Sequence, residues 1–340
     1  MRALPFAALL LAGCATTSVP LATEAPMVAA TAETDPVDTA ADAADDPAIW
    51  RNAADPSKSL VIGTDKKAGI HVYSLAGKRL SFTPALRLNN VDLRESGGRV
   101  IAAASDRAEV TTAHVSLFTL DTTAARLVPL GRFPVGAGEA YGMCLWTRAR
   151  DHALFGFVVL KDGRIDQVAI DLSGATPKVT TVRSMKLGTQ SEGCVVDDRT
   201  GQLYVAEEDV GLWRFDADPS AATTATAIAR VDGKTLVADA EGLALAPSGR
   251  SGGYLVASSQ GDNAYTLYRL PGVTYAGRFR IGGGAIDGTS DTDGIDLMLG
   301  DFGPAYPRGL LVAQDGDNAP ATQNFKYVSW DAVRRALKLP

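Results

Sequence analysis

The sequence predicts an all-β fold, a six-bladed β-propeller, and three observations carry that prediction. A short apolar segment opened by a polar residue recurs six times, at Asp46, Asn90, Tyr141, Glu192, Glu241 and Asp293. Successive openers stand 44, 51, 51, 49 and 52 residues apart. Each opener is followed by a second and a third apolar run, the pattern of a small antiparallel meander repeated at one period. No amphipathic helical stretch separates the runs, which removes a two-domain α/β arrangement; Asp331–Leu337 alone reads as a short helix.

Taken in chain order, Met1-Arg2 and the apolar run Ala3–Ala12 form a signal-peptide core, too short to span a bilayer. It ends in Leu11-Ala12-Gly13-Cys14, which resembles a bacterial lipobox with Cys14 as the lipidated residue. Residues 1–13 are therefore expected to be a lipoprotein signal peptide, 14–34 a flexible tether rich in Ala, Thr, Pro and Glu, and 35–340 the propeller. The expected location is an exported lipoprotein anchored to the outer membrane, or a secreted protein if the lipobox is unused. Lipid on Cys14 would be the only membrane contact.

The second runs are Leu60–Gly63, Val100–Ala104, Leu154–Leu160, Leu203–Ala206, Tyr254–Ala257 and Leu310–Ala313. The third are Ile70–Tyr73, Val115–Phe118, Ile165–Val168, Leu212–Phe215, Tyr265–Tyr268 and Phe325–Val328. The last blade has only three strands before the chain ends, and Pro36–Ala40 is expected to supply its outer strand and close the ring. Cys144 and Cys194 remain once Cys14 is assigned to lipid. An exported protein permits a disulfide, but two cysteines with apolar flanks are read as separate buried thiols. The C-x5-R spacing of Cys144 and Arg150 is set aside, because Tyr-Gly-Met-Cys-Leu-Trp reads as a strand and not a phosphate loop.

In a meander the start of the first strand and the end of the second share a rim, so all openers and all strand-two termini are expected at one mouth of the channel. The acids brought there are Asp45, Asp46, Glu192, Glu207, Glu208, Asp239, Glu241, Asp287, Asp291, Asp293, Asp315 and Asp317, assisted by Asn90, Tyr141, Gln260 and Asn318. So many carboxylates repel one another unless cations intervene, and an all-oxygen set favours calcium, several ions of it, over zinc or copper. Beside them stand Lys66, Lys67, Arg107 and Lys161, which suit a phosphate ester. His71, His114 and His152 fall outside the clusters, near outer strands. With no nucleophilic constellation in view, water activated by the metal is the expected nucleophile.

The chain has 33 Lys and Arg against 39 Asp and Glu, a formal charge of −6. That balance argues against a nucleic-acid binder. It does not exclude a polyanionic substrate, because the acid excess gathers at one rim where cations can reverse its sign.

At this point the segments Asp42–Trp50, Leu88–Arg94, Ala206–Asp209, Ala257–Gly261, Asp287–Asp296 and Val312–Gly316 resemble the β-propeller (alkaline) phytases, over about residues 33–338. The resemblance implies a six-bladed propeller that hydrolyses phytate, myo-inositol hexakisphosphate, in a calcium-dependent way, as a monomer taking phytate or calcium-phytate. It implies that Asp45, Tyr141, Glu192, Asp239, Glu241, Asp287 and Asp293 hold the catalytic calcium cluster. Glu207, Gln260, Asp315 and Asn318 would serve structural calcium sites, and Lys66, Arg107, Tyr141 and Lys161 would contact phosphates. Glu33 matches an acidic position ahead of the first blade. Asp65 and Asp106 depart from the family's usual Asn before Lys66 and Arg107, where extra negative charge would alter substrate or calcium binding. The loop after Arg94 is also shorter than usual. A calcium-dependent propeller lactonase and a non-catalytic cell-surface binding propeller are the competing readings.

Overall fold

The computed structural model describes residues 23–340, and the expected signal peptide, lipobox and Cys14 lie outside the described residues. Six β-sheets of four or five strands follow one another along the chain. Their inner strands, in order, are Ala44–Trp50, Leu88–Ser96, Ala140–Thr147, Ser191–Asp197, Ala240–Ser248 and Ile295–Leu299. Each of these blades is an antiparallel meander running from the channel outward, as the repeat predicts.

The hydrophobic core is not one cluster but a set of interfaces between neighbouring blades. Ile62, Val72, Val91 and Ala104 pack blade 1 on blade 2, and Met143, Val158, Ala103 and Val115 pack blade 2 on blade 3. Leu311, Val328, Phe279 and Ile281 join blades 5 and 6. Each fully buried aliphatic side chain contributes about 1.5–3 kcal/mol by leaving water, so the apolar runs fix the ring by stacking blade on blade. The one α-helix among the described residues, Trp330–Ala336, sets Trp330 and Val333 into the interface between blades 5 and 6.

Three expectations are corrected. First, Ala32–Glu33 closes the ring, pairing antiparallel with Asn324–Ser329 of blade 6 in the register Ala32↔Tyr327 and Glu33↔Lys326. Pro36–Ala40 does not: Pro36 has no N–H for a ladder. The segment instead crosses to blade 1, where Asp35 and Asp38 pair with Lys78 and Arg79. Second, the stretch expected as tether up to residue 34 is partly built into the propeller, because Met27–Val28 adds a fifth, parallel strand to blade 5. Third, Cys144 and Cys194 are not separate thiols but a disulfide joining the inner strands of blades 3 and 4. Those strands belong to different sheets, so only this bond links them covalently side to side. With the cysteines 50 positions apart in sequence, such a cross-link restricts the unfolded chain by about 4 kcal/mol in the loop-entropy account.

Candidate metal and phosphate site

Two local features gather the openers at one mouth of the channel. In five blades the inner strand carries a register shift at the opener, between Ala44 and Pro47, Leu88 and Val91, Ala140 and Gly142, Ser191 and Cys194, and Ala240 and Leu243. A bulge of this kind re-aims a side chain out of the strand's alternation. The second feature is the glycine that follows four of the six openers. A Cβ at Gly142, Gly193, Gly242 or Gly294 would strike the backbone of Glu192, Glu241, Asp293 or Asp45 on the next blade. Their φ angles are not left-handed, so the need is for space and not for conformation. Bare glycines let adjacent inner strands touch, and the openers close into a ring.

Within that ring, carboxylate oxygens of Glu192, Glu208 and Glu241 all lie within 4.8 Å of one another, and all three residues are buried. Lys66 Nζ bridges Asp45 (3.0 Å), Asp293 (3.0 Å) and Asp42 (2.8 Å). Gln260 Nε2 donates to Asp293 Oδ1 at 2.8 Å, and Asn89 Nδ2 donates to Glu192 Oε1 at 2.7 Å. With its amide nitrogen turned inward, Asn90 donates to Glu192 Oε1 at 2.8 Å and to the Tyr141 carbonyl at 2.9 Å. Glu208 Oε1 and Glu241 Oε2 are buried with no partner. An unpaired buried carboxylate oxygen costs several kcal/mol unless a charge meets it. The donors are all hard oxygens, so the cluster fits a calcium ion.

The electrostatics agree. Burial, reinforced by Asp45 and Asp293 around one and by Glu192 and Glu208 around the other, pushes the carboxyls of Glu192 and Glu241 well above the usual range. Burial and then Asp45 raise Asp293 to about 7 from an ordinary 3.8, against the opposing pull of Lys66. Burial disfavours the Lys66 ammonium, but Asp45, Asp293 and Asp42 outweigh it and hold the proton more tightly than usual. Burial, followed by Glu192 and Glu241, raises the Tyr141 phenol, so it stays protonated.

These shifts fix the sign of a pH effect. Between about pH 4 and 7 the folded chain holds protons on Asp293, and on Asp296 (also about 7) and Asp315 (about 6), that the unfolded chain has released. Raising pH through that window therefore favours unfolding. In chelating buffer the melting temperature is expected to fall as pH rises from about 5 to about 8, and excess calcium should reverse the trend. A flat or rising profile in chelator would count against the shifted carboxyls.

The basic residues line the same mouth. Arg107 Cζ lies 5.5 Å and Lys161 Nζ 5.0 Å from the centre of the Tyr141 ring, so two cations pack against one aromatic ring. A cavity of about 720 Å³ opens between Lys66, Tyr141, Glu208, Glu241, Gln260 and Asp293 on one side and the loop 316–323 on the other, with Asp239 in its wall. Asp65 and Asp106 do not line it. Asp65 accepts the backbone N–H groups of Thr39, Lys67 and Ala68, and Asp106 accepts from Ser116 and Arg132.

Several expected ligands lie elsewhere. Asp46 accepts the Val91 amide at 2.9 Å and lines a second cavity, of about 460 Å³, toward the opposite end of the channel. Glu207 is saturated by Thr189 N (2.6 Å), Thr189 Oγ1 (2.8 Å) and Trp213 Nε1 (2.7 Å), and it is its neighbour Glu208 that enters the cluster. Asp287, Asp315 and Asn318 surround the fully buried ammonium of Lys326, together with Glu33. The single ammonium offsets only one of the three carboxylates there, and these residues carry no step below. Glu208 appears in the sequence as one acid of a pair, but Asn89 and Lys326 were missed. Asn89 sits beside the Asn90 opener, and Lys326 is hidden in the apolar run Phe325–Val328.

A family model described as Phytase matches residues 2–339. The 3-phytase of Bacillus subtilis (strain 168) is 42% identical over 329 residues, covering 91% of this chain and 85% of that protein. Among solved structures, a chain from the crystal structure of the mitotic checkpoint complex superposes with a TM-score of 0.53 at 12% identity, over 97% of this chain and 98% of that one. That likeness concerns the fold alone.

Proposed function

The chain belongs to the phytase family and is a hydrolase of phytate phosphomonoesters, and from that premise we propose that it works with calcium held by Glu192, Glu208, Glu241, Asp293 and Asp45. The observation that supports this most is the trio of buried glutamates with two unpartnered oxygens. Bound calcium would supply the positive charge that offsets the carboxylates, draws in the substrate's phosphates and makes a water acidic enough to attack.

The chain's own side chains do the rest. Lys66, Arg107 and Lys161 bind the non-bridging oxygens of the phosphate to be cleaved and balance the charge that builds on them in the transition state. Tyr141, protonated and flanked by Arg107 and Lys161, orients that phosphate as a donor. Water attacks phosphorus in line, the bond from phosphorus to the inositol oxygen breaks, and the leaving oxygen takes up a proton. Asp293, held by Lys66 and Gln260 in the same mouth, is the carboxylate to which we assign the proton that the water loses.

The test is phosphate release from phytate by purified protein in excess calcium and in excess chelator, with a lactone as a parallel substrate. Release in calcium, loss of at least a hundredfold in chelator and no lactone opening are expected. Full activity in chelator would overturn the calcium reading, and lactone opening without phosphate release would overturn the phosphatase reading. The lysines and arginine beside the acids speak against the lactonase alternative, which has no use for them.

A further inference from the structure

Asn89 is fully buried, with no exposed surface, on the inner strand of blade 2. Its side-chain nitrogen faces the acids of the site on two other blades, 2.7 Å from Glu192 Oε1 and 3.3 Å from Asp45 Oδ1. Its carbonyl oxygen, equally buried, has no partner. An asparagine has two N–H donors and carries no charge, so it can reach two carboxylates without joining their repulsion or competing with a cation as a lysine would. Asp45 stands in blade 1 and Glu192 in blade 4, so no strand pairing fixes their separation. The amide supplies the one direct side-chain link between them among the described hydrogen bonds. The same nitrogen also lies 3.0 Å from the Asn90 side-chain amide, and a buried amide that faces two carboxylates costs free energy unless it makes those bonds, which argues against a space-filling role that any apolar residue could take over.

We infer that Asn89 is a positioning residue for phytate hydrolysis: it presets Glu192 and Asp45 across the channel so that the cation site is formed before its ion arrives. This rests on the calcium reading above. The mechanism assigns Asn89 no contact with phosphate, so at saturating calcium its loss should act on turnover and on cation affinity but not on substrate capture.

The experiment compares wild type with Asn89→Leu, which keeps the size and removes the donors, and Asn89→Asp, which keeps the size and replaces them with charge. Three quantities are read: calcium binding by calorimetry with calcium alone, melting temperature in chelator, and kcat and KM on phytate. Asn89→Leu is expected to weaken the tightest calcium step at least tenfold and to lower kcat at least tenfold, with KM within about twofold. Asn89→Asp should melt lower than wild type in chelator and gain more from added calcium. Calcium affinity and kcat of Asn89→Leu at wild-type levels would overturn the proposal, as would a rise in KM with kcat unchanged. If Asn89→Leu does not fold, Asn89→Ser, too short to span both carboxylates, reads the same quantities. If wild type itself binds no calcium, the calcium reading fails separately, and the split between kcat and KM still decides the role of Asn89.

Discussion

Glu192→Gln is expected to lower kcat on phytate by two to three orders of magnitude while raising the melting temperature in chelator. The substitution keeps the shape of a buried side chain that accepts from Asn89 at 2.7 Å and stands among Glu208 and Glu241. It removes one negative charge from a site where burial and neighbouring acids already oppose ionisation. Without a cation, one fewer buried like charge stabilises the fold. With a cation, one fewer charged ligand loosens the ion and the charge balance of the transition state, and losses of 10²–10³ are typical when one such electrostatic contact goes. Opposite signs in stability and activity distinguish a functional carboxylate from a structural one. Glu207→Gln supplies the contrast. Its carboxylate is consumed by Thr189 and Trp213, so this variant should lose stability and leave kcat within a fewfold of wild type. If the two variants behave alike, or Glu192→Gln keeps its turnover, the division between the adjacent acids of blade 4 is wrong.

That division shows what one sequence can and cannot reveal. Blade count and strand order were legible because each blade buries alternating apolar residues against the next, and that burial writes Leu, Ile, Val and Ala at a repeating interval. The rim was legible because strand ends in a meander fall on one side whatever their contacts. What was not legible depends on lateral neighbours. The choice between Asp45 and Asp46 is made by the bulge at the start of the blade 1 inner strand, and a single displaced residue changes the facing of a carboxylate. The Cys144–Cys194 bond joins strands of different sheets, a relation that no spacing within either strand records. Met27–Val28 and Ala32–Glu33 are two residues each, too short to show any period, yet they complete blades 5 and 6. Lys326 occupies an inward position of a strand that otherwise reads as core. Only the convergence of Glu33, Asp287 and Asp315 on it explains a fully buried ammonium there.

The glycines that close the ring lead to the second large effect. Gly242→Ala adds one methyl group, at a position where the new Cβ would lie 2.7 Å from Asp293 O and 2.7 Å from Ile295 N. Both are backbone atoms of the next blade, so no side chain can swing away to make room. The contact also includes the hydrogen bond from Gly242 N–H to Asp293 O at 2.8 Å, which must stretch or break as the strands separate. Overpacking that forces backbone to shift costs about 1–3 kcal/mol or more, and a lost buried hydrogen bond adds about 1 kcal/mol. Gly242→Ala is therefore expected to destabilise by about 3 kcal/mol, read as a fall in denaturation midpoint. Gly272→Ala is the control, since its Cβ would meet nothing nearer than Thr274 Cγ2 at 3.9 Å, and the change should stay within about 0.5 kcal/mol. The functional consequence follows from which residues flank the contact. Glu241 precedes Gly242, and Asp293 supplies the oxygen it would strike, so parting the strands moves two carboxylates of the proposed cation site away from each other. Calcium affinity should fall at least tenfold in Gly242→Ala at temperatures where the protein remains folded, and at saturating calcium KM for phytate should change little, because Lys66, Arg107 and Lys161 stand on blades 1 to 3. Loss of stability with calcium affinity intact would mean that the close approach of the blades serves the fold alone.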